Sequence, residues 1–189
     1  MNSQLSSMRF CTSAEALIDH WLDLRSPDSL CPHKRDFSPM HMGKALPDVF
    51  LTEWRDEETV MVRVAGSRTP MVTDEDTTGK NILDVCLGEH RADFTEFYRK
   101  MRTGMFAGAS EHPLPHLSSN MVARSVQLPL LDDDGVARFF VGIVKALPLG
   151  KNLEDFREKS ELSGISLNVW FHELGHKTQA TDAKLSKKL

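Results

Sequence analysis

The chain is poor in cysteine, in net positive charge and in long apolar runs, and each shortage argues against a class of protein. Cys11, Cys31 and Cys86 are an odd number of thiols with no paired spacing. A disulfide framework or a Cys-type zinc site is not expected, and a reducing compartment fits. The formal net charge is −4 and the pI about 6.1. A nucleic-acid surface needs a basic face, so nucleic acid is not the expected partner. The most apolar stretch, Phe139 to Leu147, contains Lys145 and is about half the ~20 residues that a membrane helix needs. The first residues, Met1 to Ser7, have no basic region followed by an apolar run, so no secretory signal is expected and a cytoplasmic location is. Thr78-Gly79-Lys80 lacks the earlier glycine of a phosphate-binding loop. A Gly-x-Ser-x-Gly nucleophile turn is missing too.

What remains is a chain of 189 residues, 40% hydrophobic and 26% charged. That suits one globular domain with an extension. Residues 1–12 are polar and expected to be loose. Ser13 can cap a helix in which Leu17, Trp21 and Leu24 recur at helical spacing, until Ser26-Pro27 stops it. Trp21, the largest apolar residue of that helix, is its expected anchor. Residues 26–46 hold three prolines and read as a linker with one short helix, capped by Ser38 and opened by Pro39. Asp48 to Trp54 and Thr59 to Ala65 read as a hairpin. Short helical turns are expected from Gly66 to Leu87. A helix follows from Glu89 to Arg102, with Phe94, Phe97, Tyr98 and Met101 on one side and Gly104 as its stop. Three extended segments come next, Met105 to Glu111, Met121 to Leu131 and Val136 to Leu147. The last two are joined by Asp132-Asp133-Asp134-Gly135. The order predicts an α+β fold, a five-stranded antiparallel sheet with helices on one face.

Residues 150–189 form a C-terminal extension. Ile165, Leu167, Val169 and Phe171 alternate with polar or larger residues like a strand, while Leu162, Ile165 and Val169 also fit a helix. The lysine-rich end is expected to be disordered.

Just after this segment stands His172-Glu173-Leu174-Gly175-His176, the pattern of a zinc peptidase. On a helix, residues four apart share a face, so two imidazoles can hold one zinc while the glutamate acts as general base. Asp182 stands where a third ligand could. Three features oppose this. The preceding alternation is that of a strand, Gly175 weakens a helix by about 1 kcal/mol, and few residues remain to build a substrate wall. A turn or strand end is the preferred reading, with a zinc hydrolase using His172, Glu173, His176 and Asp182 as the rival. His112-Pro113-Leu114-Pro115-His116 repeats the spacing, but its prolines forbid a helix.

The helix patch Ala16-Leu17-Ile18-Asp19-His20-Trp21-Leu22-Asp23-Leu24-Arg25 opens a series of four patches. Leu46-Pro47-Asp48-Val49-Phe50-Leu51 is the second and Met61-Val62-Arg63-Val64-Ala65-Gly66-Ser67 the third. Thr78-Gly79-Lys80 followed by Leu128-Pro129-Leu130-Leu131 completes the series. In this order they resemble the single-domain PAS proteins of alphaproteobacteria over Ala14 to Leu149. The resemblance implies a PAS-like domain over residues 13–149. It also implies a non-catalytic sensory or protein-interaction role in bacterial signal transduction. A small apolar ligand would sit between sheet and helices, and a signalling protein partner is expected. No cofactor is named by it. Light-sensing relatives carry a flavin-reactive cysteine in an Asn-Cys-Arg-Phe run, which the surroundings of Cys86 lack. Haem-binding relatives use a histidine in the helical region, where His90 reads better as a solvated capping residue.

Candidate ligand-binding residues are Met61, Arg63, Phe94, Phe97, Met105, Val126 and Phe140, chosen because such pockets are mostly apolar. Arg63 stands mid-strand with Met61 and Ala65. It is either a paired structural arginine, an anion contact, or a solvated residue on the outer face. A homodimer is expected from the N-terminal helix and the segment Ile165 to Phe171, since an isolated strand must find an edge to satisfy its backbone.

Overall fold

The computed structural model describes residues 5–69, 75–85, 90–114, 117–118, 121–148 and 168–174. Helix α1 is Thr12–Leu24. Its stripe Ala14, Leu17, Ile18, Trp21 and Leu22 is buried, and Trp21 Nε1 donates to the Pro129 carbonyl at 2.9 Å. Ser13 is not its cap. Cys11 takes that position, and the Ser13 hydroxyl donates instead to Asp48 Oδ2 at 2.7 Å. The stretch expected to be loose is docked where it is described. Leu5 and Met8 are buried in the cluster under α1, because these few apolar side chains find room there, and Arg9 pairs with Asp19 of the helix at 2.7 Å.

Two 3-10 stretches follow, Lys34–Asp36 and Pro39–Asp48. Pro39 opens the second as expected, Ser38 holds the cap position without a side-chain hydrogen bond, and Gly43, at φ 49°, supplies its kink. The strands are β1 Val49–Asp56, β2 Thr59–Ala65, β3 Phe106–Pro113, β4 Met121–Leu131, β5 Ala137–Pro148 and β6 Asn168–Glu173. Between β2 and β3 stand the short helix α2, Ile82–Val85, and the longer α3, Arg91–Gly104. Helix α3 ends at Gly104, and its C-cap lies one residue beyond. The left-handed residue is Met105, at φ 51°, not Gly104, and Met105 is held there by packing on the cluster under α1.

All six strands form one antiparallel sheet in the order β2-β1-β5-β4-β3-β6. The sixth strand is an addition to the five expected, and its edge is β3 of its own chain. Helices α2 and α3 lie on one face, as expected, and the N-terminal helix α1 lies on the other. Phe140 and Val141 are both fully buried neighbours on β5, and neighbours on a strand point to opposite faces. Val141 joins the cluster of Leu17, Ile18 and Trp21 from α1, and Phe140 joins Phe94, Phe97, Tyr98 and Met101 from α3. The sheet is therefore a middle layer with α1 on one side and α3 on the other. Sequence periodicity predicts which side of a helix is apolar, but not which sheet face it covers. Among the described residues no helix is long and apolar enough to cross a membrane.

Candidate functional site

Residues paired across an antiparallel sheet point to the same face, so the register defines rows. One row runs Phe50, Gly142, Gln127, Gly108, Phe171 across β1, β5, β4, β3 and β6. It faces α3. A Cβ at Gly108 would fall 2.5 Å from Met101 Sδ and 2.6 Å from the Phe97 ring, and one at Gly142 would collide with the Phe50 ring. Glycine is thus required at both positions, and each trough is filled by an aromatic ring. Between them stands Gln127. It is 3% exposed, and its Oε1 has no hydrogen-bond partner among the described residues. A buried amide oxygen left unpaired costs about 1–3 kcal/mol.

The walls of this face are aromatic. Ring centroids lie 5.3 Å apart for Tyr98 and Phe140, 5.6 Å for Phe97 and Tyr98, and 5.5 Å for Phe97 and Phe171. These spacings suit tilted and edge-to-face contacts. Next to Gln127 the polar row continues with Ser110 and Ser125, whose hydroxyls lie 2.7 Å apart. Beyond them His112 sits edge-on to Phe94 at 6.2 Å.

The α1 face buries two carboxylates, and pairs both. Asp48 is 1% exposed. It takes hydrogen bonds from Ser13, from Lys145 at 2.6 Å and from Arg68 at 2.7 Å. Burial pushes its pKa up, but the bonds from Lys145 and Ser13 and the charges of Lys145 and Arg68 outweigh that and hold it below the usual carboxylate value. Glu111 is met by Arg124 with two bonds, at 2.7 and 2.9 Å. Cys31 is fully buried here, and burial pushes its thiol up to about 12 although Arg25 pulls the other way.

Of the seven candidate residues, Phe94, Phe97 and Phe140 come together on the α3 face. Val126 and Met105 belong to the other cluster. Val126 lies one residue from Gln127, and that single step changes the face. Met61 is half-buried on β2 and bridges to Asn81. Arg63 is about half exposed, 3.6 Å from Glu53. It falls where the β1–β2 register shifts, so the alternation that aligned it with Met61 and Ala65 is broken. His90 is not solvated: it is 4% exposed at the start of α3. Cys86 lies outside the described residues.

Sequence reasoning missed Gln127, Gly108, Gly142 and the two serines. The signal for the first was an amide inside Val126-Gln127-Leu128, an apolar strand centre. The described part of the zinc pattern, His172 to Leu174, is not helical. His172 and Glu173 are consecutive residues of β6 and point to opposite faces, while His176 and Asp182 lie outside the described residues.

A family profile described as PAS domain matches residues 9–145. No curated protein matches the sequence. Among solved structures, the chain is similar to a sensory box sensor histidine kinase from Vibrio cholerae, at 16% identity and a TM-score of 0.40. That similarity covers 57% of this chain and 90% of the other.

Proposed function

The chain belongs to the PAS domain family, whose profile takes in residues 9–145, and on that premise we propose that it is a non-catalytic sensory module of a bacterial signalling system. It takes a small, mostly apolar ligand with one hydrogen-bond donor on the α3 face of the sheet and passes the change to a protein partner. The observation that carries the ligand is the buried Oε1 of Gln127, unpaired among the described residues, on the sheet face that also carries Phe97 and Phe140. A donor brought to that oxygen would regain the bond it lacks, which gives such a ligand an advantage over an apolar one of equal shape.

The ligand must displace side chains to enter, because Phe50, Phe97 and Met101 fill the two glycine troughs beside Gln127. Phe97 and Met101 are α3 residues. Ligand entry therefore moves α3 against the sheet. Phe97 touches Phe171, so the movement reaches β6 at the sheet edge. This supports a route from ligand to surface that needs no catalytic group.

Indole and indene test the reading as probes, since they share a shape and only indole carries an N–H. Thermal-shift titration of the full chain is expected to favour indole. In Gln127→Leu the preference is expected to vanish while weak binding of both remains. Equal response to both probes in the parent protein would remove Gln127 from the site.

A further inference from the structure

Helix α1 packs on the stretch Pro39–Asp48. Near the start of the helix the two are joined by the bond from Ser13 to Asp48. Near its end two histidines meet. The His20 ring of α1 stands 5.0 Å from the His41 ring, centroid to centroid, at an interplanar angle of 71°. The Phe37 ring lies on His20 as well, at 5.2 Å. His20 is half-buried and His41 is exposed. His20 Nε2 is buried and has no hydrogen-bond partner among the described residues. A buried ring nitrogen without a partner calls for an explanation, and neither the fold nor the site at Gln127 supplies one.

We infer that His20 and His41 hold a divalent transition-metal ion of the zinc type between α1 and the stretch Pro39–Asp48. An ion about 2.1 Å from one nitrogen of each ring, at a tetrahedral angle, places the two ring centroids about 5 Å apart. The rings already have that spacing. His41 is exposed, so it can turn towards the ion without disturbing the core. Burial, and then the neighbouring His41, lowers the His20 pKa below its usual value, against the pull of Asp23. The ring is therefore neutral near pH 7 and keeps the lone pair that a metal takes. Among the described residues no group of three or more His, Cys, Asp or Glu could hold a metal ion. The ion is thus bound by two imidazoles, completes its shell with water, and draws only on the charge of Asp23. Imidazole suits zinc, nickel and copper, whereas magnesium and calcium take oxygen. A bound ion staples the end of α1 as Asp48 ties its start. The inference does not depend on the ligand at Gln127.

Calorimetric titration of the untagged full chain with zinc chloride near neutral pH tests it. Uptake of one ion per chain is expected, with no heat from magnesium. His20→Ala and His41→Ala are each expected to weaken zinc binding by at least about tenfold, since loss of an outer-shell partner alone already costs that much. His172→Ala/His176→Ala is expected to leave it unchanged. Zinc should also raise the melting temperature of the parent, because it binds only the folded chain, and should not raise that of His41→Ala. His41 is exposed, so its variant keeps the test valid should His20→Ala fail to fold. No zinc uptake by the parent, uptake that survives in His41→Ala, or loss only in His172→Ala/His176→Ala would overturn the site.

Discussion

The two faces of the sheet bury carboxylates and an amide on opposite terms. Under α1, Asp48 and Glu111 are each met by cations or hydroxyls. Under α3, Gln127 keeps an oxygen that is unpaired among the described residues, on the face that carries Phe97 and Phe140. Burying a paired charge holds elements together, because removing either partner strands the other. Burying an unpaired acceptor weakens the folded chain and is tolerated where something else is meant to meet it. The carboxylates on one face fix the fold, and the amide on the other is left short by one bond.

The difference can be broken first at Trp21. Trp21→Ala is expected to destabilise by about 3–5 kcal/mol, read as a lower urea midpoint, since it empties the centre of the α1 face and deletes the bond to Pro129. Asp48→Asn comes next, at about 2 kcal/mol near neutral pH, less than a fully buried pair because Arg68 and Lys145 reach solvent. Its pKa is held below the ordinary value. Its contribution is therefore complete above the unfolded value of about 4 and is lost as pH falls through the lower folded value. Urea melts of parent and Asp48→Asn should converge over that acid window.

On the α3 face the sign reverses. Gln127→Leu is expected to raise stability without ligand by about 1 kcal/mol, because it removes a buried amide oxygen that is unpaired among the described residues. A loss of stability instead would mean that Gln127 has a partner. The smallest effect is expected at Arg63, where Arg63→Ala should change the urea midpoint by under about 0.5 kcal/mol, as for an exposed pair.

Much of this arrangement was legible in the sequence. The α1 stripe from Leu17 to Trp21 and the hairpin turn at Asp132 to Gly135 were in view because periodicity and turn chemistry are local. The Asp132 side chain accepts from the Asp134 and Val136 N–H groups there, and Gly135 takes φ 76°. The sixth strand was seen as a segment, but its partner was not, since an edge is a property of the assembled sheet. The face of each helix was likewise out of reach. Val126 and Gln127 show the cost: they are neighbours in sequence, yet only the register with Gly108 and Gly142 reveals which of them looks at α3.

The central claim is that the α3 face receives a ligand donor at Gln127. Two-dimensional amide NMR of the full chain, with the Gln127 side-chain signal assigned through Gln127→Leu, tests it most directly. Indole is expected to shift that side-chain signal and the backbone signals of Gly108 and Gly142, while indene moves the glycines but leaves the side-chain amide much less changed. Shifts confined to the α1 face, or a Gln127 signal that responds to neither probe, would contradict the account.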